Sequence, residues 1–147
     1  MGAIRHFDYF IREKIVKKQH PDRSRSEFLL KEAENSYLFL QKMINKIGIE
    51  DNNANDYVKS CYDILMELIR AKMILRGYNA SGQGAHEAEV SYLRILGFRE
   101  NDVQFADQLR FFRNGMLYYG TILDKEYAEK VIRFTKDIYL KLKEMIK

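Results

Sequence analysis

The sequence contains few of the residues that characterise disulfide-bonded or metal-binding proteins. Its single cysteine, Cys61, excludes an internal disulfide, and it falls on an apolar helical stripe where we expect a buried, inert thiol. The three histidines, His6, His20 and His86, do not pair at a spacing of four, and no HExxH or clustered Cys/His pattern occurs. We therefore expect neither a metal site nor a cofactor.

Proline and long hydrophobic runs are equally scarce. The chain has one proline, Pro21, and no convincing hairpin signal, whereas apolar residues recur every three to four positions over long stretches. No run approaches the roughly 18–20 consecutive apolar residues of a membrane span, and charged residues interrupt the N-terminal region where a signal peptide would be apolar. We expect an all-α, cytoplasmic protein that does not enter a membrane.

The charge is unevenly distributed along the chain. Residues 1–25 hold seven basic and three acidic residues and so carry the whole formal net charge of +4. This indicates a basic N-terminal helix or arm, residues 1–23, on a neutral bundle domain, residues 24–147. Such an arm suits contact with nucleic-acid phosphates, and a solvated helix face explains the same charge. We expect four basic residues to make this contact, several of them from one helical face: Arg12, Lys14, Lys17 and Lys18.

The apolar spacing predicts an antiparallel up-and-down bundle of about five helices plus an N-terminal helix. Residues 3–18 form the first helix, which ends before Pro21. A capping box of Ser24 and Glu27 opens the second helix, which stops at Gly48. The remaining predicted helices are 55–76, 85–96, 101–119 and one capped by Asp124, with connecting loops at 49–54 and 77–84.

The apolar faces of these helices predict the core. The N-terminal helix is expected to dock on the bundle through Ile4, Phe7, Phe10, Ile11 and Ile15. Helix 55–76 is expected to point Val58, Cys61, Leu65, Leu68, Ile69 and Met73 inward.

The segment 110–120 carries more chemistry than a core helix needs. Arg110 and Arg113 are three residues apart and share a face of the helix, as do Asn114 and Tyr118 at four apart. An arginine pair beside an amide and aromatic rings could grip a phosphate and stack a base. In the alternative interpretation, both arginines pair with acidic residues of neighbouring helices, such as Asp63 or Glu67.

Two further residues in this part of the chain call for interpretation. Gly115 within a helix costs about 1 kcal/mol relative to alanine, which indicates a close approach at that point, and we expect it between two helices across a dimer axis. His86 stands in the first turn of a predicted helix, where we expect a packing or capping role. Glu87 and Glu89 are expected on other faces of that helix.

Two patterns resemble HEPN-domain proteins, the higher eukaryotes and prokaryotes nucleotide-binding family. One is Gly-x4-Gly-x-Gly-x-His-Glu-Ala at 77–88, after the long helix, and the other is Leu-x3-Arg-Asn-x3-Tyr-Tyr-Gly at 109–120. The similarity runs from Ser24 to Ile146 and is strongest to the small prokaryotic and archaeal members. It implies a helical bundle that binds RNA or a nucleotide.

The family's Arg-x4-6-His motif cleaves RNA without metal where two copies face each other across a homodimer. Arg113 matches the arginine of that motif, and Asn114 matches the polar residue that often follows it. The histidine position is occupied by Tyr118, Tyr119 or Gly120. A tyrosine, with a pKa of about 10, cannot take a proton at neutral pH as an imidazole with a pKa of about 6.5 can. We therefore expect weak or absent ribonuclease activity.

In the cleft that the resemblance implies, Arg113 would clamp phosphate with help from Arg110, and Asn114 would orient it. Tyr118 or Tyr119 would stack on a base or hydrogen-bond.

By the same resemblance we expect a homodimer formed through helices 55–76 and 101–119, and a minimal nucleotidyltransferase as partner in a toxin–antitoxin-like pair. Two alternatives remain open. One is a non-catalytic helical protein–protein interaction module, and the other is an active, metal-independent endoribonuclease.

Overall fold

The computed structural model describes residues 3–118 and 120–146, with Leu117, Tyr118 and Ile146 through their backbone only. The protein is an all-α helical bundle, as expected. Along the described residues, no helix combines the length and apolar character needed to cross a membrane. Its elements are α1 (Phe7–Arg12), β1 (Val16–Lys18), α2 (Arg23–Ile47), a 3-10 turn (Asp51–Asn53), α3 (Ala54–Leu75), β2 (Tyr78–Ala80), α4 (Ala85–Ile95), α5 (Glu100–Tyr118) and α6 (Lys125–Ile146).

Helix α3 is the centre of the bundle and packs against α2, α4, α5 and α6. The residues predicted to point inward from it are all buried: Val58, Cys61, Leu65, Leu68, Ile69 and Met73. Burial raises the pKa of the Cys61 thiol to about 11. The expectation of an inert core cysteine is therefore confirmed, because the thiol and not the reactive thiolate is present at neutral pH.

Hydrogen bonds between helices define their directions. The Ser26 hydroxyl, near the start of α2, donates to the Ala71 carbonyl near the end of α3 at 2.7 Å, so these helices are antiparallel. Helix α6 runs parallel to α3. Its first amide donates to the Asp51 carboxylate at 2.8 Å, and near its other end the Met145 carbonyl accepts from the Lys72 ammonium at 2.6 Å.

A tight turn between α5 and α6 explains Gly115. A Cβ atom at residue 115 would lie 2.5 Å from Thr121 Oγ1, which is closer than real Cβ contacts. The Thr121 amide also donates to the Gly115 carbonyl at 3.1 Å. The close approach is therefore made within the chain. This contact explains Gly115 without a dimer axis, and the homodimer stays a prediction.

The helix predicted over residues 3–18 is also wrong in its extent. Helix α1 covers only Phe7–Arg12, Lys14 has a positive φ of 62°, and the chain continues as β1. This strand pairs antiparallel with β2, Val16 opposite Ala80. The apolar spacing suggested a continuous helix, but the β-branched Val16 suits an extended backbone whose hydrogen bonds the distant residues 78–80 supply. The loop 77–84, expected as a plain connector, therefore contributes a strand.

The N-terminal segment is docked on the bundle, as expected. Ile4, Phe7, Phe10 and Val16 are buried in the same hydrophobic cluster as α3, with Ile11 and Ile15 half-buried against it.

Arg94 of α4 fastens this segment. Its guanidinium donates to the Ile4 and Arg5 carbonyls at 2.8 and 2.9 Å. It also donates to both carboxylate oxygens of Glu100, at 2.8 and 2.6 Å.

Two helix starts test the capping predictions. Helix α6 begins after Asp124, whose carboxylate accepts from the Tyr127 amide at 2.8 Å, as expected. Helix α2 begins at Arg23, and its cap is Asp22, which accepts from the Arg25 amide at 2.9 Å. The predicted Ser24 capping box is wrong, because Asp22 caps the helix two residues earlier and places Ser24 in its first turn.

Candidate functional site

A cleft of about 450 Å³ lies where α2, α3, α4 and α5 meet. This is within the range typical of small-molecule sites, roughly 300–1,000 Å³. Its apolar lining is Leu29, Tyr62 and Met66. Its polar lining is Asp63, Glu67 and Arg70 of α3, His86 of α4, and Arg113 and Asn114 of α5. The structure thus places the predicted Arg113 and Asn114 together at one concave surface.

Arg113 is largely buried in this cleft, with 22% of its side chain exposed. Its ion-pair partner is Asp63, whose Oδ1 lies 3.9 Å from Nε, too far for a hydrogen bond. Nε and Nη1 are buried without a hydrogen-bond acceptor among the described residues, and the same is true of the Tyr62 hydroxyl as a donor. Buried donors without acceptors are costly, and an acceptor from outside the described residues would remove that cost.

A buried carboxylate orients His86 at the edge of the cleft. Nδ1 of His86 lies 2.9 Å from Oε1 of Glu89, and 3.3 Å from Nη2 of Arg70. The Glu89 side chain is only 4% exposed, and its Oε2 accepts from Arg70 Nε at 2.6 Å. An ionised carboxylate only accepts, so the shorter contact makes Nδ1 the donor and leaves the lone pair of neutral imidazole on Nε2. No described residue hydrogen-bonds Nε2, which leaves it able to exchange a proton with a ligand.

Two carboxyl groups moderate the positive charge of the cleft. Burial raises the pKa of Asp63, and the nearby Arg113, Arg70 and His86 act in the opposite sense. Burial also raises the pKa of Glu67. Both groups therefore hold a proton more tightly than they would in water. The cleft is a mixed-charge surface in which Arg113 is the cation without a hydrogen-bonded carboxylate.

Arg110 is bonded away from the cleft lining. Its Nε donates to Asp107 Oδ1 at 2.7 Å, one turn earlier on α5, and that carboxylate is buried. Neither Asp63 nor Glu67 is its hydrogen-bond partner; the long Arg113–Asp63 pair is the only one of those alternatives that the described residues form.

The remaining predicted site residues are Tyr118, Tyr119 and the four basic residues of the N-terminal arm. Tyr119 and the side chain of Tyr118 lie outside the described residues, so their roles stay predictions. The four basic arm residues are exposed, but the expectation that several share a helical face is wrong. Arg12 ends α1, Lys14 lies in the following turn, and Lys17 and Lys18 belong to β1.

Sequence reasoning missed Arg70, His86 and Glu89 as a group. The expectation that Glu89 points away from His86 is wrong: the two are three residues apart on α4, a spacing that shares a helix face, and their side chains are in contact. That spacing was a usable signal. Arg70 joins them only through the packing of α3 on α4, which no spacing reveals.

Comparison of the chain with known proteins found no matching family model, curated protein or solved structure. Within the part of the chain that the structure describes, no three His, Cys, Asp or Glu side chains are grouped to hold a metal ion. The chemistry of the cleft is therefore inferred from its own geometry.

Proposed function

We propose that the Arg113 cleft binds RNA through phosphate groups. The observation that carries this proposal is the buried guanidinium whose Nε and Nη1 have no acceptor among the described residues. Both nitrogens are covered in this conformation, so the side chain must turn towards the cleft before phosphate oxygens accept from them. The resulting charge-assisted hydrogen bonds are the strongest kind available to a protein. The ligand would thereby supply what Asp63, at 3.9 Å, does not.

The neighbouring groups suit a phosphodiester better than a simple inorganic anion. Asn114 is exposed beside Arg113 and presents an amide that can hydrogen-bond a phosphate, a sugar or a base. Arg70 is already bonded to Glu89, which leaves Arg113 as the principal phosphate ligand. Because Asp63 and Glu67 also line the cleft, we expect modest affinity that weakens with salt.

Fluorescence anisotropy with a short labelled single-stranded RNA tests the proposal, at about 50 and 200 mM salt. Arg113→Gln should abolish most of the binding at low salt. Arg133→Gln is the matched control, because Arg133 is an exposed arginine of α6 that does not line the cleft. Equal affinity of the two variants, or no binding by the wild-type protein at low salt, would reject an RNA site at Arg113. The non-catalytic interaction module would then be the better proposal.

A second candidate function, metal-independent RNA cleavage, is favoured by the presence of His86 in the same cleft. In that reaction Nε2 takes the proton of a ribose 2′-hydroxyl, the 2′-oxygen bonds to phosphorus, and the bond from phosphorus to the 5′-oxygen breaks. The departing 5′-oxygen takes a proton from water, and the imidazolium returns its proton to the hydroxide formed. The products are a 2′,3′-cyclic phosphate and a 5′-hydroxyl. Such a group contributes roughly 10²–10⁴-fold to a rate.

Replacement of His86 separates binding from cleavage. His86→Gln should reduce formation of the 2′,3′-cyclic phosphate by at least about 100-fold, the lower bound for loss of a general base, with RNA affinity nearly unchanged. His20→Gln is the control, because His20 is exposed and lies outside the cleft. If the wild-type protein binds RNA and forms no cyclic phosphate, the cleavage candidate fails and the binding proposal stands.

The resemblance to HEPN proteins extends the proposal to partners. A homodimer would bring two clefts together across the edge of α3 that carries Asp63 and Glu67, since most of α3 is buried in its own bundle. The exposed Phe111 of α5 would join that contact. A minimal nucleotidyltransferase in a toxin–antitoxin-like pair is the second proposed partner. Light scattering that gives the single-chain mass of 17.5 kDa at micromolar concentration would contradict the dimer.

A further inference from the structure

A groove continues from the cleft along the contact between α2 and α3. A cavity of about 320 Å³, lined by Asn35, Ser36, Phe39 and Ser60, shares Asp63 with the Arg113 cleft. A further cavity of about 270 Å³ shares Phe39 and Ser60 with the previous one. Three concave surfaces therefore form one path on the same side of α3.

This path is much longer than one phosphate group. Ser60 and Arg70 are both on α3, ten residues apart, which corresponds to about 15 Å along the helix axis. A free phosphate or a compact anion would occupy only the Arg113 end.

The chemistry of the groove changes along its length. The cleft end carries Arg113, Arg70 and His86. The next cavity presents the shared Asp63, neutral polar side chains and the aromatic ring of Phe39, and the third adds the carboxylate of Asp56. Proteins that hold single strands combine cationic groups for the backbone with aromatic rings on which bases stack.

Phe39 is an exposed aromatic residue of this groove that packing in the core does not explain. It lines two of the cavities while its exposed fraction is 64%, so its ring presents a face to the groove and to solvent. The adjacent Leu38 has a nearly equal exposed fraction, 61%, but lines none of the three cavities.

We propose that the groove binds single-stranded RNA longer than one nucleotide, with a phosphate on Arg113 and a neighbouring base stacked on Phe39. Asn35, Ser36 and Ser60 supply hydrogen bonds to the edge of that base. The inference rests on the proposed RNA binding, and it selects a single strand over a free nucleotide or a duplex, whose bases are already stacked.

A length series of oligouridylates tests this inference by isothermal titration at low salt, from a mononucleotide to about eight nucleotides. Affinity should rise steeply once a second base can reach Phe39. Phe39→Ala should remove roughly tenfold of affinity for the longer strands and leave the mononucleotide affinity unchanged. Phe39→Tyr should retain the gain, because tyrosine also stacks, and Leu38→Ala is the matched control.

The outcomes separate the two proposals. If Arg113→Gln abolishes binding at every length while Phe39→Ala behaves as the wild-type protein, the cleft binds phosphate and the groove inference is overturned. A Phe39→Ala variant altered only in self-association would also overturn it, since the groove would then be a protein interface. If neither the wild-type protein nor Phe39→Tyr binds any oligouridylate, the proposed RNA binding itself fails.

Discussion

Two arginines on consecutive helices show how differently one side chain can be used in this protein. Arg94 of α4 and Arg113 of α5 are both largely buried, with 12% and 22% of the side chain exposed. Arg94 donates hydrogen bonds to two backbone carbonyls and to both oxygens of Glu100. Among the described residues, the partner of Arg113 is Asp63, through the long ion pair.

The difference separates an arginine whose donors are satisfied within the fold from one whose donors are not. Arg94 joins the N-terminal segment to α4 and α5, and every partner it needs is inside the molecule. Arg113 is comparably buried, but its Nε and Nη1 have no hydrogen-bond acceptor in the part of the chain that the structure describes. Low exposure alone would not have distinguished them, whereas the hydrogen bonding of their donors does.

The largest expected effect comes from replacing each arginine by methionine, which keeps much of the volume and removes the charge. Arg94→Met should lower the free energy of unfolding by about 2–4 kcal/mol, because it removes several charge-assisted hydrogen bonds. Arg113→Met should leave stability unchanged or raise it by about 1 kcal/mol, because it removes buried donors without acceptors. Urea unfolding followed by circular dichroism measures both values.

Changes of opposite sign in the free energy of unfolding would confirm that the two arginines have different roles. An Arg113→Met variant as unstable as Arg94→Met would show that both arginines serve the fold, and the phosphate proposal would lose its main support.

A smaller effect is expected in the pH dependence of stability. The Arg94 hydrogen bonds, with a contribution from Gln104, lower the pKa of Glu100 from 4.5 to about 2. This pair therefore stabilises the fold above about pH 4.5, and the contribution is lost as pH falls towards 2. Glu100 is half exposed, so the effect is modest. Glu100→Gln should flatten the thermal-stability profile in this pH window.

Asp63, beside Arg113, should behave in the opposite way. Its folded-state pKa is raised by burial above the ordinary 3.8, so its contribution to stability falls as pH rises through that region. Asp63→Asn should therefore melt at a higher temperature than the wild-type protein at neutral pH and show no such gain at pH 2. A variant that loses stability at neutral pH would show that Asp63 supports Arg113 more than its distance suggests.

The smallest effect is expected from the exposed basic arm. Its charges would attract RNA phosphates, whereas Arg113 would bind one by hydrogen bonds. Changing Arg12, Lys14, Lys17 and Lys18 to Gln should reduce the slope of log affinity against log salt, by up to about 0.7 for each phosphate that the arm no longer neutralises. Base preference should barely change. The matched control changes the exposed α6 residues Lys130, Arg133, Lys136 and Lys141 to Gln. Equal slopes in the two variants would make the arm a structural element only.

Much of the helical framework could be predicted because it depends on local spacing. The bounds of α3, α4 and α5 agree with the predicted ones to within a residue or two, and the stripe around Cys61 is buried as expected.

The remaining features depend on which segments meet in space. The pairing of β1 with β2 joins residues far apart in the chain, and nothing within 3–18 indicates it. Likewise, Arg113 and Asn114 were recognised from their neighbours in sequence, whereas the contact of Arg70 with Glu89 requires the docking of α4 on α3. The sequence predicted Asp63 only as one of two possible ion-pair partners, with Glu67, for Arg110 and Arg113.

The strand pair also imposes an order on biosynthesis. Residues 16–18 leave the ribosome well before residues 78–80, and until the later segment emerges β1 has no partner. Helix α1, with six residues, is too short to persist alone. Phe7 packs on Tyr78 and Tyr92, so the rings that cover it are also translated later. Residues 16–18 therefore reach their paired position only after residues 78–80 have been translated.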